Sequence, residues 1–208
     1  MQAQTSSQQV SGDGPHAWWR EAMRLLALIA LLGTARASFA NHYVVPSGSM
    51  QHTLEVGDRV AVDMRAYGLR LPLGNRVVWS TGTPQRGDVA VFDSPVDGTR
   101  LIKRVAAVAG DQVRLVDGHL WINGRALAAA DGQVEHFGVH AAPLDLDHGG
   151  GPDIDGLIVP PGQVLMLGDH RGNSEDGRFF GLVQAKTLYG RAVAVYWRRG
   201  EGLGWRRL

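Results

Sequence analysis

Residues 101–108, Leu101-Ile102-Lys103-Arg104-Val105-Ala106-Ala107-Val108, form a short apolar run closed by Ala109-Gly110-Asp111, and Val116-Asp117-Gly118-His119-Leu120-Trp121-Ile122-Asn123-Gly124 follows soon after. Short runs rich in valine and closed by Gly, Asp or Asn are strand signals. The Asp-Gly and Asn-Gly pairs suit the positive φ angles of tight hairpin turns. The same pattern recurs outward from this stretch, at Arg59-Val60-Ala61-Val62, Asp88-Val89-Ala90-Val91-Phe92, Val164-Leu165-Met166-Leu167 and Arg191 to Trp197. No long stretch after residue 41 carries helical periodicity. The fold expected is mainly β, barrel-like or a sandwich, and not built from βαβ units. Ala128–Gly156, rich in Ala, Gly, Asp and His, reads as a loop-rich excursion that returns to a strand through Val159-Pro160-Pro161-Gly162.

The chain has 208 residues, enough to bury a core without disulfides, and it has no cysteine. Thiol nucleophiles, zinc–cysteine sites, iron–sulfur clusters and disulfides are therefore excluded. With 21 basic and 20 acidic residues the net charge is +1, so no field that gathers nucleic acid is implied. Only two of the basic residues are lysines, Lys103 and Lys186. A lysine kept in so arginine-rich a chain invites the question of what arginine cannot do. Lysine can be neutral once buried, and arginine stays protonated.

Residues 1–15 are polar and Gln/Ser/Gly-rich and read as a disordered tail. An apolar run from Ala22 to Leu32, broken by Arg24, follows Trp18-Trp19-Arg20-Glu21. Three readings compete: a transmembrane helix from Trp18 to Ala35 with an interfacial tryptophan pair, a cleavable signal peptide ending at Ala37 or Ala40, and a buried amphipathic helix. The first is adopted as the expectation.

Lys103 sits inside a strand-like run beside Arg104, and alternation points the two to opposite faces. A lysine on the core side is desolvated, which lowers its pKa and supplies a neutral base. Ser49 lies in Val45-Pro46-Ser47-Gly48-Ser49-Met50, a turn able to offer a hydroxyl, a backbone N–H and a neighbouring hydroxyl to a carbonyl. Each signal alone has a plainer reading. Lys103 could face solvent, Ser47 and Ser49 could mark an ordinary turn, and Gly168-Asp169-His170-Arg171-Gly172-Asn173-Ser174 could be a polar loop closed by an Asp–Arg pair. His136 and His140, with Asp145, Asp147 and His148, are metal-ligand types without ligand spacing, so no metal is expected there. Tyr196-Trp197-Arg198-Arg199 and Trp205-Arg206-Arg207 read as interfacial membrane contacts.

Taken together and in this order, Pro-Ser-Gly-Ser-Met with Thr53-Leu54 and Gly57-Asp58, Ile-Lys-Arg-Val with Gly110-Asp111, and Gly-Asp-x-Arg-x-Asn-Ser-x-Asp-x-Arg resemble the bacterial type I signal peptidases, Ser–Lys membrane proteases. The resemblance runs from Trp18 to the C-terminus. It implies Ser49 as nucleophile and Lys103 as general base. Ser47 Oγ and the Ser49 N–H form the oxyanion hole. Ser174 holds the lysine, Asp176 and Arg178 form a supporting ion pair, and Asp169 and Arg171 fix the loop. Val45, Pro46, Met50, Leu54, Leu101 and Ile102 line the pockets for small side chains. It further implies coiled antiparallel sheets with a smaller insertion. The organisation expected is a tail over 1–17, an anchor over 18–40, a catalytic β domain over 41–114 and 160–208, and an inserted β/loop domain over 115–159.

No cofactor is expected. The partners expected are exported preproteins and membrane lipid, with no nucleic acid, and the chain is expected to be a monomer. Its place would be the cytoplasmic membrane, single-pass, with the catalytic domain on the periplasmic side. Gln51-His52 stand where the family usually has a variable residue and then proline. That departure leaves open a dedicated pilin-type maturation peptidase or a catalytically silent signal-peptide-binding factor.

Overall fold

The computed structural model describes residues 16–39, 41–70, 77–129 and 132–208. Helix α1 spans His16–Phe39. Strands β1 (Asn41–Val44), β2 (Arg59–Asp63), β3 (Leu69–Arg70), β4 (Val77–Trp79), β5 (Val89–Asp93), β6 (Arg100–Val108), β7 (Gln112–Val116) and β8 (His119–Ile122) follow. Then come β9 (Arg125–Ala126), β10 (Val134–Phe137), β11 (His140–Pro143), β12 (Ile154–Ile158), β13 (Gln163–Leu167), the short helix α2 (Gly177–Phe180), β14 (Val183–Gln184), β15 (Gly190–Arg198) and β16 (Gly202–Arg207).

The main sheet has the order β1-β2-β15-β5-β6-β13-β14, with β16 paired to β15. Every pairing in it is antiparallel, and register shifts interrupt β6–β13, β15–β2 and β15–β16. The mainly β expectation therefore holds, but the barrel does not close. Closure needs hydrogen bonds between the terminal strands. Here they are β1 and β14, four and two residues long, and they do not pair with each other.

Local chemistry explains how the strands begin. Glu55-Val56-Gly57-Asp58, Gln85-Arg86-Gly87-Asp88 and Val108-Ala109-Gly110-Asp111 each precede a strand: β2, β5 and β7. In each turn the aspartate N–H donates to the carbonyl three residues earlier. Its buried carboxylate accepts the N–H of that same residue, at 3.0, 3.0 and 2.9 Å. The glycine takes φ of 91°, 93° and 88°, a region costly for any residue with a Cβ.

A second sheet, β12-β7-β8-β9, uses the two turns legible in the sequence. Asp117 and Asn123 take φ of 49° and 52°, and the glycines after them 79° and 78°, the left-handed pair of a two-residue hairpin. This sheet packs on the main one. Val113, Leu115, Leu120 and Ile122 share one core with Ala106, Ala107, Leu165 and Leu167. The Ala128–Gly156 stretch is more ordered than its composition suggests, since it contains the β10–β11 hairpin. That hairpin was hidden because it is short and its buried positions include a glutamate, Glu135, beside an exposed histidine, His136.

The N-terminal expectation needs correction. A helix does form over His16–Phe39, but no helix among the described residues is long and apolar enough to cross a membrane. Arg20, Glu21 and Arg24 occupy its first turns, with Arg24 paired to Glu21 at 2.5 Å. The uninterrupted apolar run Leu25–Leu32 covers only about 12 Å of helix against a hydrocarbon core of about 30 Å. Of the tail expected over 1–17, residues 1–15 lie outside the described residues and His16 and Ala17 are helical.

Leu165 is fully buried where the two sheets meet. Leu165→Ala is expected to lower unfolding stability by about 3 kcal/mol in urea denaturation, the usual cost of emptying a core leucine site.

Candidate active site

Strand β6 lies between β5 and β13, with Lys103 opposite Ala90. Alternation suggested that one of Lys103 and Arg104 would be covered, yet both are 3% exposed. Different covers account for this. Arg104 donates from Nε and Nη2 to Asp169 at 2.8 and 2.7 Å and from Nη1 to the Gly87 carbonyl at 2.7 Å. Thr53 Oγ1 donates to the same carboxylate at 2.6 Å. On the other side, the loop that leaves the end of β13 carries Ser174 over Lys103.

Lys103 Nζ donates to Ser174 Oγ at 2.9 Å, and Ser174 Oγ donates to Asp176 Oδ2 at 2.7 Å. The Asp176 carboxylate also accepts the Gly168 N–H at 2.9 Å, Arg178 Nε at 2.8 Å and Arg178 Nη2 at 2.9 Å. It caps α2 as well, through the Arg178 N–H. Burial opposes the charge on Asp176, but the Arg178 guanidinium and these donors outweigh it and hold the carboxyl below the usual range. Because the one proton of Ser174 is committed to this carboxylate, its oxygen can only accept from the lysine. A neutral Lys103 would spend one N–H there and keep a free lone pair. Burial lowers its pKa from 10.5 to about 8; Arg178 assists, while Asp176, Asp169 and Glu175 oppose.

Ser49 lies in a tight turn in which the Gln51 N–H reaches the Gly48 carbonyl and the Leu54 N–H reaches that of Met50, at 3.0 and 2.8 Å. It is 6% exposed, with Ser47 Oγ 3.5 Å from its own Oγ. Its carbonyl accepts the His170 N–H at 3.2 Å. Gly168 brings the two halves together. A Cβ there would stand 2.5 Å from the Ser49 carbonyl oxygen and closer still to Ser174 Oγ. Ser49, Gly168, Ser174 and Lys103 are thus consecutive neighbours, although the lysine bonds Ser174 and not Ser49.

The other named residues divide. Leu101 and Ile102 are half-buried and Pro46 is exposed, whereas Val45 is buried and Met50 and Leu54 are fully buried in the core beneath the turn. Asp169 and Arg171 both hold the loop, but not as a mutual pair. Asp169 is taken by Arg104, while Arg171 pairs with Glu135 and donates to the carbonyls of Gly118 and Gly168. Among the described residues, no three of the His, Asp and Glu side chains gather to hold a metal. Of the C-terminal aromatic–arginine clusters, Trp205 is exposed, but Arg198 turns inward to Asp58 at 2.5 Å and Arg59 stacks over Trp197. Sequence reasoning placed Thr53 and Gly168 inside motifs and Asp145 among metal-ligand types but assigned none of them a role in this site. It passed over Glu135, whose pairing with Arg171 across 36 residues has no local signal.

A buried amine with a pKa of about 8 and one N–H engaged by Ser174 can, in its neutral form, take a proton from a hydroxyl brought against it. The same shift sets the pH dependence of folding. Unfolded Lys103 binds more protons than folded Lys103 between about 8 and 10.5, so stability gains from this residue as pH rises through that window. Since the chain has two lysines, Nζ-edited NMR of lysine-labelled protein yields a simple spectrum. A Lys103 midpoint at about 8 is expected; a midpoint at 10.5 would mean that burial does not neutralise it.

Residues 18–197 match the family of signal peptidase, peptidase S26. A signal peptidase I of Pseudomonas fluorescens is 34% identical over 187 residues, which cover 77% of this chain and 66% of that protein. A signal peptidase I of Leptolyngbya laminosa is 31% identical over 211 residues, covering 96% and 90%. The crystal structure of a signal peptidase I from Enterococcus faecalis aligns at 31% identity and a TM-score of 0.39, over 53% of this chain and 97% of its own. The chain spans 66% of the length of the Pseudomonas relatives that it matches. It belongs to the signal peptidase family, peptidase S26.

Proposed function

We propose that this chain is a serine endopeptidase that removes N-terminal signal peptides from exported preproteins, with Ser49 as nucleophile and Lys103 as general base. The observation that carries the reading is the lysine. It is buried, has a pKa of about 8, and donates to a serine oxygen that can only accept. Neutral Lys103 takes the Ser49 proton as Oγ attacks the scissile carbonyl. Ser47 Oγ and the Ser49 N–H hold the oxyanion, and Lys103 then protonates the leaving amine. Water hydrolyses the acyl-enzyme with the lysine again as base. Ser174, Asp176 and Arg178 keep the amine aimed, while Asp169 and Arg171 hold the loop.

The signal segment adds as a strand along the free edge of β1, on the approach to Ser49. Small side chains near the cut suit a site whose neighbours Val45, Met50 and Leu54 are already packed, leaving Leu101, Ile102 and Pro46 to shape shallow pockets. The catalytic domain comprises 41–114 and 160–208, with 115–159 as the insertion. The enzyme works as a monomer on the extracytoplasmic face of the membrane. The exposed Trp18, Trp19, Leu25, Leu26, Leu28 and Ile29 of α1 favour lipid contact there.

Cleavage of a preprotein with an Ala-x-Ala site, in detergent, tests this. Ser49→Ala and Lys103→Arg, both folded, are expected to lose about 10³-fold or more in rate. Normal cutting by Lys103→Arg would remove the lysine from the base role. A silent wild type would favour the signal-peptide-binding alternative.

A further inference from the structure

Asp145 precedes the second sheet's last strand, outside the elements that carry Ser49, Lys103 and Ser174, yet it touches the supports of all three. Its N–H donates to the Asp169 carbonyl at 3.0 Å and its own carbonyl accepts the Arg171 N–H at 2.8 Å. Residue 145 is thereby stitched in parallel to His170, whose N–H holds the Ser49 carbonyl. The carboxylate extends the link. Asp145, 8% exposed, places Oδ2 3.4 Å from His170 Nδ1 and 3.5 Å from His52 Nε2. His52 belongs to the turn that carries Ser49. A single oxygen thus joins the serine's turn to the loop that aims the lysine.

What faces each ring nitrogen decides the protonation chemistry. His170 Nε2 is 3.1 Å from the Asp147 carbonyl, an acceptor, and Nδ1 faces the Asp145 carboxylate, also an acceptor. A neutral imidazole carries one N–H, so either tautomer turns a lone pair toward an oxygen. Among the described residues, His170 Nδ1 is the one buried side-chain polar atom without a hydrogen-bond partner. The imidazolium, with two N–H groups, matches both acceptors. His52 repeats the pattern, with Nδ1 3.6 Å from Glu55 Oε1 and Nε2 on Asp145. The remaining charged and titratable neighbours do not compete for these contacts. The His148 ring stacks on that of His170 at 6.0 Å, Asp169 is held by Arg104, and Arg171 by Glu135.

We infer that Asp145 is a positioning residue: with His170 and His52 as imidazolium ions it clamps the Ser49 turn against the Lys103–Ser174 loop, and the clamp loosens when the rings lose their protons. The inference rests on the Ser49–Lys103 reading above. It sets two opposed demands on one site. The base must be deprotonated while the clamp keeps its protons, so activity is confined to a window bounded on both sides.

The test compares preprotein cleavage by wild type and Asp145→Asn, because the ratio of their rates cancels the titration of Lys103. A ratio of about 10 at about pH 6, falling toward about 1 at about pH 9, is expected. A loss of rigidity alone gives a ratio that does not change with pH, and such a flat ratio overturns the inference. His52→Gln, at an exposed position, serves where Asp145→Asn does not fold, and must show the same convergence. Histidine-selective ¹⁵N NMR of the full chain is independent of activity. His170 doubly protonated at about pH 6 in wild type, and no longer so in Asp145→Asn or His52→Gln, is expected; a neutral His170 in wild type overturns the clamp. If wild type cleaves no preprotein, the peptidase reading fails while the NMR result still decides the clamp.

Discussion

The site is organised around the cost of keeping a lysine amine out of water. An ammonium ion at Lys103 would lose its hydration in exchange for one serine oxygen, which is why burial favours the neutral amine. That amine still has to be aimed. Its holder, Ser174, is in turn held by Asp176, and Asp176 by Arg178 and the Gly168 N–H. The negative charge of Asp176 works against the neutral lysine, and Arg178 offsets it from the far side. An arginine at position 103 would keep its charge at every physiological pH, so the chain's strong preference for arginine has to lapse here.

Such a chain of contacts needs a rigid frame, and the frame comes from both sheets. Strands β6 and β13 are direct neighbours, which fixes Lys103 next to the start of the 168–178 loop. The second sheet and its connections hold the outer side of that loop. Glu135 on β10 and the Gly118 carbonyl of the β7–β8 hairpin receive Arg171, and the Gly150 carbonyl receives Arg178. Asp145 adds the backbone stitch. Residues 112–158 therefore act as a wall behind the site as well as a sheet sharing its core.

Much of this was legible because it is local. Strand runs and the two-residue hairpin turns depend on neighbours within three or four residues, and the structure contains them. Ser49, Lys103 and Ser174 stood out only in combination, through the order of motifs that resembles the signal peptidases; each alone had a plainer reading. Ion-pair partners were not legible. Asp169 lies two residues from Arg171 but pairs with Arg104, 65 residues away, while Arg171 takes Glu135. Charge type says that a partner exists, and only packing selects which one. The barrel-like reading stops short of closure and the membrane-spanning expectation is not met, for a related reason. Each depends on a total, of paired edge or of uninterrupted apolar length, that short encouraging stretches do not reveal.

The sequence by itself determined the mainly β class, the two-residue hairpins, the turns that launch β2, β5 and β7, and the inventory of residues able to do acid–base chemistry. These follow from backbone sterics and side-chain type, which act over a few residues. Tertiary structure alone decided that both Lys103 and Arg104 are covered, that Ser174 can only accept from the lysine, and that Asp145 bridges two histidines from distant segments. Protonation state and hydrogen-bond direction are properties of surroundings, and those surroundings exist only once residues far apart in the chain are packed together.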